Sequence, residues 1–277
     1  MNTQTTYSLL TGLEDFDRLE ILNRFYNPAS LELFSKAGIA SHSKIAEIGC
    51  GHGTMTFLLA NQIVPTGEVW AVDNNAEQIR VARERYSDCP NLHFFEGNLL
   101  QDTEFLKAEA GKFDAVYCRF LLQHLDNPIQ MLRCMAELLK PGGLLICEDA
   151  DVTKLRYSPA DEDINEWQRY WFALGGALGT SYEIAPCLAD TLQLAGLTVE
   201  HHATHQPHSH DPAAKAMHVL GFRDLMPLYV EMGGATPERL QFLLHKFELL
   251  IADSNVGVEL YEVHQCVARK GPDSLER

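Results

Sequence analysis

A chain of 277 residues, 46% of them hydrophobic, is long enough to bury a large core and has the composition of an ordinary globular protein. Its net charge of -16 argues against a nucleic-acid partner, because duplex binding requires lysine and arginine at the phosphates. No apolar run approaches the roughly 18 residues of a membrane span, and the N-terminus has no secretory leader pattern. The seven cysteines form no Cys-x-x-Cys pair, so we expect a cytoplasmic protein with reduced thiols.

The segment before residue 40 is predicted to be helical. Apolar residues recur at helical spacing on both sides of Pro28, which indicates two helices, the second of them ending at Gly38. We interpret residues 1–40 as a helical cap on the sheet. The alternative is a lid that folds over a ligand, with Tyr7 as a contact.

The first strand, residues 45–48, leads directly into a glycine-rich turn. Gly49, Gly51 and Gly53 follow at alternate positions, and a helical pattern begins immediately afterwards. Strand, glycine turn and helix form the first half of a nucleotide-binding unit, in which glycine allows a sharp turn and close approach of a ligand to the backbone. The G-x-G-x-G spacing, with Glu47 two residues ahead, differs from the dinucleotide pattern G-x-G-x-x-G and therefore argues against NAD.

The second strand, residues 68–72, ends in Asp73, which lies 20 residues after Gly53. An acid at this strand end is where a nucleoside-binding fold places its acceptor for the ribose hydroxyls. A carboxylate suits that role because it can accept two hydrogen bonds from a diol. The alternative is that Asp73 is the N-cap of the helix that begins near Ala76.

Two further strand ends supply candidate site residues. Strand three, residues 92–95, precedes Asn98 and Leu99, and strand four, residues 113–117, precedes Arg119 and His124. Ligands of open α/β sheets bind beyond the carboxyl ends of the strands. The imidazole of His124 can take a proton near neutral pH and is our candidate general base. The alternative is that it only orients the loop.

Strand five, residues 144–147, is followed by three acids that we interpret as a polar pocket wall and not as a metal site: Glu148, Asp149 and Asp151. An aromatic helix (161–178), a second helix (184–195) and strand six (197–203) come next. Two helical patterns (212–253) and a last strand (257–269) complete the prediction. The histidines from His201 to His210 are typical of a metal-binding tract, but we interpret them as an exposed strand end.

This order of elements predicts an α/β fold with one doubly wound, Rossmann-like, mixed seven-stranded sheet. An N-terminal helical lid and helical insertions around strand six complete it. We divide one continuous domain into a cap (1–40), a nucleoside-binding core (41–150) and a region that completes the sheet and carries the pocket insertions (151–270).

Three features resemble the small-molecule type of class I S-adenosylmethionine-dependent methyltransferases: the Glu47-x-Gly49-x-Gly51-x-Gly53 pattern, Asp73, and the Leu138-Leu-Lys-Pro-Gly-Gly-Leu-Leu stretch. The resemblance covers roughly residues 40–150. It implies S-adenosylmethionine as cofactor and methyl transfer to a small or medium organic acceptor. We expect no nucleic-acid or membrane partner, and a homodimer is left open. A regulatory protein that binds the cofactor, or another enzyme of this fold such as a cyclase, is the alternative.

The resemblance also implies which residues bind the cofactor, and it implies no metal ligand. These residues are Tyr7, Glu47, Gly49, Cys50, Gly51, Gly53, Thr54, Asp73, Asn74, Gln78, Asn98, Leu99 and Arg119. At position 98 the family usually has an acid, but the side-chain carbonyl of Asn98 can also accept a hydrogen bond from the adenine amino group. Leu99 is expected to offer an apolar face to the purine ring.

Overall fold

The computed structural model describes residues 13–217, 219–220 and 222–272. Its strands are β1 (Lys44–Ile48), β2 (Glu68–Asp73), β3 (Leu92–Glu96), β4 (Phe113–Arg119), β5 (Leu139–Asp151), β6 (Arg156–Ser158), β7 (Thr198–His205), β8 (His208–Ser209), β9 (Gly257–Glu259) and β10 (Glu262–Arg269). Seven of them form one sheet in the order β3-β2-β1-β4-β5-β10-β7. All of its pairs are parallel except those of β10, which runs antiparallel to both neighbours. The predicted α/β class and mixed seven-stranded sheet are confirmed.

The helices pack around this sheet and over its carboxyl edge. They are α1 (Leu13–Ala37), α2 (Thr54–Leu58), α3 (Ala76–Arg85), α4 (Thr103–Glu109), α5 (Pro128–Leu138), α6 (Glu162–Ala177), α7 (Leu188–Leu194), α8 (Pro212–Ala216), α9 (Phe222–Glu231) and α10 (Pro237–Ala252). A single π-helical turn, Leu59–Ile63, continues α2. No helix in the described ranges is both long enough and apolar enough to cross a bilayer.

The N-terminal region is one continuous helix, so the prediction of two helices separated at Pro28 is wrong. A proline inside a helix costs about 3 kcal/mol, because it removes a backbone hydrogen bond and its ring clashes with the preceding turn. Tertiary packing on both sides outweighs that cost. Leu22 and Tyr26 pack into an aromatic core formed with the C-terminal helices, whereas Leu33 and Phe34 pack against the sheet.

The C-terminal part departs from the prediction in three ways. The single strand expected over 257–269 is two strands, because β9 leaves the main sheet and pairs with β6 and β8 in a three-stranded sheet. The region 212–253 contains three helices and not two. Strand β5 is longer than expected and extends through Asp151. The boundaries of the cap, the core and the insertions stay predictions.

Candidate cofactor-binding site

The glycine turn after β1 is held by the end of β2. Gly49 and Cys50 both donate backbone hydrogen bonds to the carbonyl of Val72, at 2.8 and 3.2 Å. The backbone N–H of Gly51 donates to Oδ2 of Asp73 at 2.9 Å. The turn therefore depends on the strand that supplies its acid.

Gly53 has a steric reason to be glycine. Its φ angle is 76°, in the left-handed region that favours glycine. A Cβ atom at this position would lie 2.9 Å from the ring of Phe94 and 3.2 Å from the Cβ of Ala82. Gly53 thus lets the start of α2 lie directly against β3 and α3, which keeps the turn open toward the carboxyl edge of the sheet.

Asp73 is nearly buried, with 6% of its surface exposed, and both of its oxygens contact backbone. Oδ2 accepts from Gly51, and Oδ1 accepts from the N–H of Asn75 at 2.9 Å. The N-cap of α3 is Asn75, whose side chain accepts from Glu77 and Gln78, so the alternative role for Asp73 is excluded. A carboxylate oxygen can accept more than one hydrogen bond. These two acceptor oxygens suit the two hydroxyls of a ribose.

Glu47 lies below the turn with 4% of its surface exposed. Burial raises the pKa of its carboxyl to about 7, although the hydroxyl of Thr56, which donates at 2.5 Å, and the charge of Arg119 oppose the shift. The site therefore holds a carboxyl group that is half protonated near neutral pH. Its predicted contact with the cofactor stays a prediction.

Asn98 and Leu99, which follow β3, both make contacts within the protein. Leu99 is 2% exposed and packs in the core cluster that contains Ile48 and Leu106, and its contact with a purine ring stays a prediction. Oδ1 of Asn98 accepts the backbone N–H of Leu100 at 3.0 Å, which leaves one lone pair for an adenine amino group. Gln78 is buried against the backbone of Gly51.

The remaining predicted contacts surround the turn. Asn74 is exposed directly after Asp73. The hydroxyl of Thr54 donates at 3.0 Å to Glu20 of α1, and Arg85 donates to the same carboxylate oxygen at 2.8 Å. Tyr7 lies outside the described residues.

Arg119 joins the end of β4 to α1. Its guanidinium donates to Asn23 and Asn27 at 2.8 Å each and to the hydroxyl of Ser30 at 3.0 Å. Sequence reasoning missed these three partners. They recur at spacings of four and three on an otherwise apolar helix face, and such a polar stripe was the available signal. Arg119 fixes α1 beside the glycine turn.

His124 ends a short 3-10 turn, Leu122–His124, at the carboxyl edge of the sheet. The imidazole is half-buried, and burial, assisted by the positive charge of Arg18 on α1, lowers its pKa to about 4. It is therefore neutral at physiological pH and able to accept a proton. Asp149 supports this turn, since its carboxylate accepts the backbone N–H groups of Leu122 and Gln123 at 2.9 and 3.3 Å.

The three acids at the end of β5 have separate partners. Glu148 accepts hydrogen bonds from the hydroxyls of Ser30 and Tyr117 and from the amide of Gln265, at 2.5 to 2.6 Å. Asp149 holds the turn before α5. Asp151 lies opposite Glu262 of β10 and accepts a hydrogen bond from the backbone N–H of Thr153. The three acids that were predicted to form one polar pocket wall therefore belong to three different local structures.

An aromatic wall stands beyond the strand ends. Trp171 of α6 lies 5.8 Å from Tyr261 and 6.2 Å from Tyr182, measured between ring centroids. Phe172 lies 5.5 Å from Tyr182. All four rings are only partly buried. Tyr182 fits because a Cβ on Gly175 would lie 1.7 Å from its hydroxyl, so only glycine leaves room there.

Residues 46–145 match the family model described as a methyltransferase domain. Over this span the chain is similar to a methyltransferase domain. The matched span begins in β1 and ends in β5, so it includes the glycine turn, Asp73 and the His124 turn. The span that resembles a methyltransferase domain is thus the part of the sheet on which the candidate site is built.

Two curated relatives match the same core. The chain is 34% identical over 141 residues to the ubiquinone biosynthesis O-methyltransferase of Xanthomonas axonopodis pv. citri, covering 48% of this chain and 54% of that protein. It is 25% identical over 146 residues to the demethylmenaquinone methyltransferase of Staphylococcus aureus, covering 53% and 56%. The chain therefore spans about half the length of the curated relatives it matches.

A solved structure extends the likeness of the fold beyond the core. A candidate methyltransferase from Bacillus halodurans C-125 superposes with a TM-score of 0.57 at 18% identity, covering 88% of this chain and 99% of that one. At this identity the likeness concerns the methyltransferase fold alone. It includes the region after residue 150, where the aromatic wall lies.

Proposed function

We propose that this protein transfers a methyl group from S-adenosylmethionine to a small or medium organic acceptor. The observation that carries the proposal is the bond between the Gly51 amide and the Asp73 carboxylate at 2.9 Å. It supports the proposal because it holds a carboxylate directly beside a glycine turn, at the carboxyl edge of β1 and β2. Such a position is where open α/β sheets bind nucleosides.

The cofactor, when bound, supplies a methyl group on a positively charged sulfonium. The residues of this chain have to hold and align the reactants, an effect that can lower a barrier by up to about 7–11 kcal/mol. Asp73 and the glycine turn anchor the nucleoside end. Arg119 keeps α1 over the turn through Asn23, Asn27 and Ser30, and this contact limits the access of water.

His124 is proposed as the general base for an acceptor that must lose a proton. With the cofactor bound, the methyl group would pass to the acceptor and its bonding electron pair would remain on the sulfur of the cofactor, while the imidazole would take the proton of the acceptor. The low pKa, caused by burial and by Arg18, keeps the imidazole in its neutral form down to acidic pH. Asp149 acts through the turn, as a positioning residue.

The acceptor class proposed for first testing is an aromatic ring that carries a hydroxyl group. Trp171, Phe172, Tyr182 and Tyr261 form a wall suited to stacking on such a ring. The names of the relatives support the same class, since one is an O-methyltransferase of ubiquinone biosynthesis and another acts on demethylmenaquinone. We place the reaction in the cytoplasm, supported by the free thiols of all seven cysteines. A homodimer stays a prediction.

The test combines binding with turnover. Calorimetry should show that S-adenosylhomocysteine binds and NAD does not. A screen of phenols, quinols, amines and carboxylic acids should then show formation of S-adenosylhomocysteine from S-adenosylmethionine with the hydroxylated aromatic compounds. Binding of NAD without binding of S-adenosylhomocysteine would overturn the proposal. Binding without turnover of any acceptor would favour the regulatory alternative.

A further inference from the structure

We propose that Asp151, Glu262 and His264 form a binding site for a divalent transition-metal ion, with Zn²⁺ as its representative. One ligand atom from each of the three side chains lies within 4.8 Å of the other two. The site is separate from the glycine turn and does not depend on methyl transfer. It joins the end of β5 to the beginning of β10.

The pairing of the two strands creates the cluster. Asp151 lies opposite Glu262 in the antiparallel pair of β5 and β10. Side chains two residues apart on a strand share one face of the sheet, so His264 projects from the same face as Glu262. The three ligand atoms are thus brought together by the register of the main sheet and not by a flexible loop.

The negative charges of Asp151 and Glu262 are not balanced by a lysine or arginine among the described residues. Asp151 is 4% exposed, and Glu262 is its direct neighbour across the strands. Among the described residues, no lysine or arginine forms an ion pair with either carboxylate. Glu262 pairs only with the imidazole of His264, at 3.5 Å. Two adjacent carboxylates, one of them buried, repel each other unless a positive charge lies between them.

The two oxygens of Asp151 have different roles. Oδ1 accepts from the backbone N–H of Thr153 at 3.0 Å and from its hydroxyl at 2.5 Å. The described donors do not reach Oδ2. Asp151 is thus oriented by its first oxygen while the second remains available to an ion, as in carboxylates that ligate metals.

His264 is oriented by a second histidine. Its Nδ1 lies 3.1 Å from Nε2 of His202, a residue of β7. If the Nδ1–H of His264 donates to His202, its Nε2 presents a lone pair toward Glu262. Metal-binding histidines usually donate their other ring N–H to a neighbouring acceptor, because this fixes the tautomer and the direction of the ligating nitrogen.

The donor set selects the class of ion. One imidazole nitrogen and two carboxylate oxygens suit Zn²⁺ and its first-row neighbours, whereas Mg²⁺ prefers oxygen ligands alone. Ligand atoms around one zinc ion lie roughly 3–4 Å apart, because each bond is about 2.0–2.2 Å long. To bind one ion, the ligand atoms of the three side chains must therefore move about 1 Å closer together. Rotation of the partly exposed Glu262 side chain can bring its carboxylate closer to the other two.

The test is a calorimetric titration of the untagged, EDTA-treated and dialysed full chain with ZnCl₂, with MgCl₂ as the comparison ion. We expect one Zn²⁺ per chain and no matching signal from Mg²⁺. Glu262→Gln and His264→Gln should each weaken Zn²⁺ binding by about 100-fold, because each removes a ligand. His202→Gln should weaken it by about 10- to 100-fold, as expected for a residue that orients a ligand.

His201→Gln is the matched control, since His201 neighbours His202 but projects from the opposite face of β7. It should bind Zn²⁺ like the wild type. Thermal unfolding with and without Zn²⁺ provides a second readout, in which the ion should raise the melting temperature of the wild type but not of Glu262→Gln. Absence of Zn²⁺ binding by the wild type, or wild-type Zn²⁺ affinity in Glu262→Gln and His264→Gln, would overturn the proposal.

Discussion

The carboxylate of Asp149 accepts the backbone N–H of Leu122 at 2.9 Å, and this bond connects the end of β5 to the turn that ends in His124. The same oxygen also receives the N–H of Gln123 at 3.3 Å. A buried carboxyl on one strand thereby sets the position of the candidate base beyond the neighbouring strand.

Replacing Asp149 tests that connection. Asp149→Asn presents an amide in place of one oxygen, so either the backbone N–H groups of Leu122 and Gln123 or that of Ala150 lose their acceptor, at a cost of about 1–3 kcal/mol. We expect lower stability to urea and a fall in turnover that exceeds any change in affinity for S-adenosylhomocysteine. Urea unfolding, calorimetry and initial rates measure the three quantities. A variant with normal turnover and lower stability would restrict Asp149 to a structural role.

Asp73→Ala should weaken the binding of S-adenosylhomocysteine by about 10- to 100-fold. The change removes an acceptor of charge-assisted hydrogen bonds worth about 1.5–3 kcal/mol each, part of which water recovers. Asp88→Ala, at an exposed acid after α3, is the matched control and should bind normally. Melting temperatures without ligand are needed as well, because Asp73 also holds Gly51. Unchanged affinity in a folded Asp73→Ala protein would place the cofactor elsewhere.

His124→Ala should lower turnover by about 10²- to 10⁴-fold on a hydroxylated acceptor and leave cofactor affinity nearly unchanged. Burial and Arg18 lower the pKa of the imidazole to about 4, so kcat/KM of the wild type should fall only as the pH drops toward 4. The variant should lack this acidic limb. Rates of the wild type and of His124→Ala should be compared from pH 4 to 9. If kcat/KM of the variant still falls at acidic pH, the fall is caused by the titration of another group.

Glu47→Gln should alter how stability depends on pH. Burial raises the pKa of Glu47 from 4.5 to about 7, so the folded state holds a proton that the unfolded state releases between those values. The wild type therefore loses stability as the pH rises through this range. Glutamine has no such proton, and its carbonyl can still accept from Thr56. The free energy of unfolding of the variant relative to wild type should rise from pH 5 to pH 8, and a constant difference would contradict the shifted pKa.

The aromatic wall can be tested at its contact with α6. In Gly175→Ala the new methyl group would meet the Tyr182 hydroxyl, so Tyr182 has to move. We expect a higher KM for an aromatic acceptor and unchanged affinity for S-adenosylhomocysteine. Gly176→Ala adds the same methyl where no atom lies within 4 Å and should behave like the wild type. Equal KM values for the aromatic acceptor in the two variants would show that Tyr182 does not contribute to acceptor binding.

The glycine turn and Asp73 were predictable because they belong to one βαβ unit, in which spacing along the chain determines proximity. The contacts of Arg119 were not, since Asn27 lies 92 residues earlier. The burial of Leu99 was not predictable either, because a leucine at a strand end can face a ligand or the core, and neighbours distant in sequence decide which. The meeting of Asp151 and Glu262 likewise depends on strand register, which alternation alone does not determine.

Strand β10 lies inside the main sheet, between β5 and β7, although it is the last strand of the described chain. During synthesis on a ribosome, β7 therefore emerges before β10, its neighbour in the sheet. It can pair with β10 only after Glu262–Arg269 has left the exit tunnel. The first five strands can assemble earlier, since their pairing partners precede residue 152. A nascent chain stopped before Glu262 would thus expose an unpaired edge of β5, the kind of edge that recruits strands from other chains.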